Sequence, residues 1–270
     1  MSEIIVARRH AIRVTLLFVN LILFVVFISI GSLTPVSQTV AQELYNSIVS
    51  IPINPETIFL HNLTICLIEI IPLLGFFFYF LSAFASGISI SAISLIQGSS
   101  SVNDIWLLLN NYPHTWLEFF AYTLAASESI MMILILIAAA TKPALFRREL
   151  KIVGLTVLAC ASLLGIGSIF ETAAIFFGKT AVIVTWIIFG FGAVAAVYYD
   201  AKRRRMKLPH PLIPLLLVEA GTILGFALPT LLVFVTVLWV KHVRFKNEGR
   251  RNTEPEAEKS HPTQANPLSA

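Results

Sequence analysis

Long apolar runs are the feature that most constrains how this chain can fold. Residues 57–97 are almost uninterruptedly apolar over 41 positions, and further runs of this kind precede and follow them. A run of about 18 to 20 apolar residues can cross a hydrocarbon core about 30 Å thick as a helix. The runs do not alternate with period two, so a membrane barrel is disfavoured. The sequence predicts an all-α, polytopic membrane protein, in which each helix satisfies its own backbone hydrogen bonds.

Composition and charge placement agree with this class. The chain is 57% hydrophobic and 13% charged, whereas soluble domains average about 25% charged residues. No lysine or arginine occurs from residue 14 to residue 141. The 19 basic residues cluster beside the apolar runs, where they indicate orientation and contact with the lipid bilayer. This placement argues against nucleic-acid binding.

The N-terminal segment sets the predicted orientation. Arg8, Arg9 and Arg13 precede an apolar run from about Val14 to Leu33, which is too long for the apolar region of a signal peptide. The positive-inside rule then places the N-terminus in the cytoplasm and the protein in the cell membrane as a multi-pass chain. Residues 34–56 lack basic side chains and show apolar residues every fourth position, which predicts an amphipathic helix on the outer surface.

The apolar run at 57–97 is too long for one crossing. As a single helix it would measure about 60 Å, twice the thickness of a bilayer core. It should therefore form a helical hairpin with its turn between Leu74 and Ser86, or one crossing with a re-entrant segment. A proline at 113 opens the next helix, and apolar runs at 153–177, 181–199 and 212–240 follow. Because residues 208–241 either cross once or form a hairpin, we expect about six or seven transmembrane segments, with a re-entrant or interfacial segment before residue 119.

Ionisable and amide side chains inside the apolar runs are the candidate site. His114 and Glu118 lie four positions apart on one helical face, and Glu128 projects within about 80° of that face. A carboxylate at the centre of a span costs about 2.5–3.5 kcal/mol, so such groups should face the bundle interior. The further candidates are His61, Asn62, Glu69, Glu171 and Glu219.

Three interpretations of these residues stay open. The first is a hydrogen-bonded structural network, the second a proton or cation pathway, and the third a zinc site from His61, His114 and Glu118. We favour the structural network and expect neither a metal nor a cofactor.

No HExxH, GxSxG or P-loop motif occurs, so no sequence motif indicates an enzyme. Cys66 and Cys160 form no CxxC motif and are interpreted as small buried hydrophobes.

Two sequence stretches resemble the stage II sporulation protein M family over roughly residues 10–178. They are IFLHN at 58–62 and NNYPHTWLEFFAYTLA at 110–125. The positions that match the family pattern are Asn62, Pro113, His114, Glu118 and Glu171. The chain departs from the pattern at His61, where a second asparagine is usual, and at Thr115, where glycine is usual. We therefore divide the chain into a membrane domain at 1–178, additional transmembrane helices at 179–246 and a disordered polar tail at 247–270.

The resemblance implies a membrane protein without catalysis of its own. In spore-forming bacteria, members of the family anchor peptidoglycan-degrading enzymes during engulfment. We therefore predict an integral membrane scaffold or assembly protein that recruits or supports other membrane or envelope proteins, including as a subunit of a complex. The alternative is a permease-like transporter or proton-relay protein that uses Glu69, Glu118, Glu128 and His114.

Overall fold

A computed structural model describes residues 2–139 and 143–203. In these residues the chain forms seven α-helices and no strand. Residues Met1–Phe189 form one compact unit, to which every contact below belongs, and a second unit begins at Gly190. The predicted final apolar run, Glu219 and the polar tail lie outside the described residues. The helices are α1 (Ser2–Leu33), α2 (Gln38–Val49), α3 (Pro55–Glu69), α4 (Leu74–Gln97), α5 (Ser101–Asn111), α6 (Pro113–Ala139) and α7 (Pro143–Arg203).

Among the residues that the structure describes, four stretches of helix are long and apolar enough to cross a bilayer, which supports the predicted class of helical membrane protein. They are Ala11–Leu33, Leu74–Gln97, Pro113–Ala139 and Glu149–Gly192. The last has 44 residues, about 66 Å if straight, which is more than one crossing needs. Gly178, with φ of 60°, interrupts its helical geometry, between the apolar runs at 153–177 and 181–199.

The directions of the central helices follow from their hydrogen bonds. The Tyr79 hydroxyl, early in α4, donates to the Asn20 carbonyl, and the Ser91 hydroxyl, later in α4, donates to the Thr34 carbonyl. Residues later in α1 therefore contact residues later in α4, which means that the two helices are parallel. α3 runs opposite to α4, because a four-residue turn joins them.

α1 and α4 approach each other closely at two glycines. A Cβ atom built on Gly87 would lie 2.2 Å from the Ile28 carbonyl oxygen, and one built on Gly31 would lie 2.2 Å from the Phe84 carbonyl oxygen. The two backbones are therefore in direct contact, with no room for a side chain between them. Small residues allow such approach within a membrane, where packing rather than water exclusion drives helix association.

The α3–α4 hairpin turns earlier than the sequence predicted. The turn lies at residues 70–73, between Glu69 and Leu74, so the predicted position at 74–86 is wrong. Leu73 has φ of 70°, and a Cβ atom on Gly75 would lie 1.9 Å from the Glu69 carbonyl oxygen. The lack of a side chain at residue 75 thus lets α4 begin directly against the end of α3. As a result α3 has only 15 residues, about 22 Å of helix.

The corner between α5 and α6 is fixed by two indole groups. Pro113 opens α6, as its sequence position predicts. The Trp116 indole N–H donates to the Leu109 carbonyl over 2.7 Å, and that of Trp186 donates to the Asn111 carbonyl over 2.8 Å. The last carbonyls of a helix have no partner within it. Here tryptophan side chains satisfy two of them without solvent.

We expect Gly87→Leu to destabilise the protein, because the new side chain would occupy the space of the Ile28 backbone. Overpacking typically costs about 1–3 kcal/mol, so the thermal midpoint of the detergent-purified protein should fall by several degrees. The control is Gly154→Ala, since nothing lies within 4 Å of a Cβ atom at that position. Equal midpoints for Gly87→Leu and the wild type would contradict the close approach of α1 and α4.

Candidate functional site: a polar cavity and a buried ion cluster

Four residues predicted from the sequence line a single cavity. The Asn62 side chain on α3 donates a hydrogen bond to Glu118 Oε1 on α6 over 3.0 Å. The Glu118 carboxyl group also interacts with that of Glu171 on α7. Together with His61, these residues line a cavity of about 350 Å³. α3, α6 and α7 thus bring together side chains that are far apart in the sequence.

The rest of the cavity wall is mainly apolar, and within residues 2–139 and 143–203 no lysine or arginine lines it. An ionised carboxylate only accepts hydrogen bonds, whereas a protonated one can donate. The Glu118–Glu171 contact therefore requires either a proton on one carboxyl group or a cation between the two. The cavity is chemically suited to hold a proton or a small cation. Its remaining lining residues are Ile48, Val49, Ile51, Pro52, Ile53, Thr57, Ile58 and Ile175.

His114 does not join this cavity, although it was predicted to share a face with Glu118. Its ring packs 5.4 Å from the Tyr112 ring, and its Nδ1 atom is buried without a hydrogen-bond partner among the described residues. His114 lies in the first turn of α6, at the corner with α5, and the corner directs it towards Tyr112. Residues 2–139 and 143–203 hold no group of three metal-binding side chains. The zinc arrangement of His61, His114 and Glu118 is therefore not formed.

The two cysteines, Cys66 on α3 and Cys160 on α7, meet at α6, and Cys66 follows the cavity residue Asn62 by four positions. The Cys66 thiol lies 3.8 Å from the Ala121 carbonyl oxygen, and the Cys160 thiol lies 3.3 Å from the same atom. Both are buried, as the sequence predicted. Their proximity was not predicted, because it depends on how α3 and α7 pack against α6 and leaves no pattern in the sequence.

Glu69 is the next carboxyl group along α3 and is completely buried. Its Oε1 atom accepts a hydrogen bond from the Ser82 hydroxyl over 2.7 Å. Its Oε2 atom has no hydrogen-bond partner in the described part of the chain. A buried acceptor without a partner is normally destabilising by about 1–3 kcal/mol, so Glu69 is a candidate for a functional group.

A hydrogen-bonded group of neutral side chains follows further along α6. The Tyr79 hydroxyl donates to the Asn20 carbonyl over 2.7 Å and shares a hydrogen bond of 3.1 Å with the Thr123 hydroxyl. The Asn20 side chain donates to the Ser127 hydroxyl over 3.0 Å. These contacts join α1, α4 and α6 in the middle of the bundle. α6 runs opposite to α1, because Asn20 contacts Ser127 whereas Phe24, later in α1, packs against Phe119, earlier in α6.

A buried ion cluster occupies the other end of this series. Arg13 on α1 binds both Glu128 oxygens, over 2.9 and 2.8 Å, and one Glu149 oxygen over 2.6 Å. Arg9 lies 3.6 Å from Glu149, which is completely buried. The positive charges of Arg9 and Arg13 balance the negative charges of Glu128 and Glu149. Glu128, which the sequence places within about 80° of the face of Glu118, belongs to this separate cluster, because ten residues separate the two glutamates by about 15 Å along the helix axis.

We name this series the polar column. It consists of the cavity at Glu118, the cysteine pair, Glu69, the Tyr79 group and the ion cluster. α6 contributes an atom to nearly every group, from Glu118 at one end to Glu128 at the other. The column therefore follows α6 through the bundle.

Comparisons with protein-family models, with curated proteins and with solved structures find no match to this chain. The resemblance to the stage II sporulation protein M family therefore stays a prediction. The proposed function accordingly rests on the geometry of the cavity and the polar column.

We expect Arg13→Gln to destabilise the protein strongly, because it leaves two buried carboxylates with less compensating charge. Breaking a buried ion pair from one side typically costs about 3–5 kcal/mol. Unfolding in mixed detergent micelles would measure this loss, with Arg147→Gln as the control, since Arg147 is exposed. The double variant Arg13→Gln/Glu128→Gln should recover part of the stability. Equal stability of the two single variants would contradict the structural role of the cluster.

Proposed function

We propose that this chain is a multi-pass protein of the cell membrane that moves protons or a small cation along the polar column. This is the permease-like or proton-relay alternative of the sequence analysis. The observation that carries it is the cavity in which Glu118 contacts Glu171 and accepts a hydrogen bond from Asn62, with no lysine or arginine lining it in the described part of the chain. Carboxyl groups inside membrane helices commonly mark ion or proton pathways.

The groups of the column suggest a division of roles. Glu118 and Glu171 would bind the proton or cation, because a charge between them relieves the repulsion of two carboxylates. Glu69, with one unpartnered oxygen, would serve as an intermediate acceptor. Glu128 is already neutralised by Arg13, so it would hold the inner end of the column rather than bind the transported ion.

The proposal includes a topology. With the N-terminus in the cytoplasm, the ion cluster lies near the cytoplasmic end of α1 and the cavity faces the outer side. The 15 residues of α3 are fewer than the approximately 18 to 20 that a full crossing needs, which favours a short re-entrant arm for the hairpin. Gly178 favours two crossings within α7. These features are compatible with the six or seven segments predicted from the sequence.

The scaffold function is the second candidate, and one observation favours it. α5 has 11 residues, too few to cross a bilayer, and its side chains Val102, Trp106 and Leu107 are exposed. An amphipathic helix with an exposed aromatic residue can dock in a groove of a partner protein. In this reading α5 recruits another membrane or envelope protein, and the polar column stabilises the bundle.

We expect Glu118→Gln and Glu171→Gln each to lower proton flux by about tenfold or more, since each removes a carboxyl group that can exchange a proton. Flux would be measured in liposomes that contain a pH-sensitive dye, under an imposed pH gradient. The matched control is Glu43→Gln, because Glu43 is an exposed residue of α2. Circular dichroism and gel filtration would verify that all variants remain folded. Replacing the pH gradient with cation gradients tests the cation alternative.

Two results would contradict this proposal. One is wild-type protein with no proton or cation flux above that of empty liposomes, and the other is undiminished flux in both carboxyl variants. Cross-linking and mass spectrometry of the tagged protein from its native membrane would then test the scaffold. A stoichiometric partner that is lost in Trp106→Ala but retained in Glu118→Gln would support α5 as the recruiting element.

A further inference from the structure

The roles proposed for the groups of the polar column are assigned to carboxyl groups, and none is assigned to the two cysteines. Cys66 comes from α3 and Cys160 from α7, and their thiols lie 3.8 and 3.3 Å from one carbonyl oxygen, that of Ala121 on α6. The two thiols also interact directly with each other. Their side chains are 2% and 1% exposed. We propose that Cys66 and Cys160 form a dithiol site that a small peroxide oxidises to a disulfide joining α3 to α7. This inference does not rest on the transport function.

A proton acceptor is present beside the thiols. Glu69 follows Cys66 by three residues on the same face of α3, and it lies within electrostatic range of both cysteines. Its Oε2 atom is buried and has no hydrogen-bond partner among the described residues. Since the thiolate rather than the thiol is the nucleophile, an unpartnered carboxyl oxygen here can take up the proton that a thiol must lose.

The cavity brings a small oxidant to within one helical turn of Cys66. Asn62 lines the cavity, and Cys66 follows it by four residues, one turn further along the same face of α3. The cavity volume is about 350 Å³, whereas one water molecule occupies about 30 Å³ of liquid. Hydrogen peroxide is only slightly larger than water and is uncharged. It can therefore enter a space from which larger or charged oxidants are excluded.

The chemistry balances without a further reactant. One cysteine sulfur attacks a peroxide oxygen, the O–O bond breaks, and the released hydroxide takes up the thiol proton held by Glu69 to form water. The attacking cysteine is now a sulfenic acid. The second sulfur attacks the first, the S–S bond forms, the S–O bond breaks, and a second water molecule leaves with the second thiol proton. In total, two thiols and one peroxide yield one disulfide and two water molecules. The sulfurs lose two electrons, which the peroxide oxygens gain.

The disulfide would restrain the helices that carry the cavity. Asn62 lies one turn from Cys66 on α3, and Glu171 lies on the same helix as Cys160. A covalent bond between α3 and α7 therefore limits how far Asn62 and Glu171 can move apart. Oxidation would fix the width of the cavity, and reduction would release it.

The test uses the full-length protein, purified in detergent with a reductant that is then removed. After treatment with graded hydrogen peroxide and quenching with catalase, the protein is unfolded, alkylated with iodoacetamide and digested without reduction. Mass spectrometry should find the Cys66–Cys160 cross-linked peptide in most molecules, and a reductant should abolish it. When the peroxide-treated Cys66→Ser and Cys160→Ser variants are unfolded in the presence of dimedone, the remaining cysteine of each should carry the dimedone adduct of a sulfenic acid. Glu69→Gln should slow disulfide formation by about tenfold or more.

Two outcomes would overturn the proposal. One is alkylation of both cysteines in the peroxide-treated wild type, and the other is a disulfide that forms only between molecules, seen as a dimer on a non-reducing gel. If Glu69→Gln does not fold, the dimedone adducts of the two serine variants decide the question, because serine is close to cysteine in size. A protein without proton or cation flux can still form the disulfide, so the two proposals fail separately.

Discussion

The charge balance around Arg13 is the constraint on which the arrangement of the bundle depends. This one side chain binds carboxylates from two helices, so it joins α1, α6 and α7 at a single level. An uncompensated charge in a low-dielectric interior is unfavourable by several kcal/mol, and the three helices must therefore align at this point. Their alignment determines which residues face each other further along the helices, where Asn20 contacts Ser127 and Glu118 contacts Asn62.

Glutamate occurs in two different electrostatic settings along α6. Glu128 has a bidentate arginine partner, so its charge is neutralised by the protein itself. Glu118 has an amide donor and a second carboxyl group as neighbours. One helix thus carries an ion pair and, in the transport function that we propose, an exchangeable site, and the position of the arginines decides which glutamate has which role.

Sequence patterns predicted the class of protein, the amphipathic α2 and the start of α6 at Pro113, because these depend on local composition and backbone chemistry. The family pattern also pointed to Asn62, Glu118 and Glu171, which share the cavity. The hairpin turn was placed too late, because the approach of Gly75 to Glu69 is a tertiary contact. Angular periodicity placed Glu128 within about 80° of the helical face of Glu118, but it gives no information on their separation along the helix axis. The cysteine pair was missed, since neighbours on separate helices are set by packing.

The corner between α5 and α6 has a consequence for the surroundings in which the protein can work. Exposed carbonyl groups at a change of chain direction normally need water, which keeps such corners at the membrane surface. Here the indole N–H groups of Trp116 and Trp186 take the place of water. The carbonyl groups of Leu109 and Asn111 therefore do not need contact with water, and their hydration does not determine where in a bilayer this corner can lie.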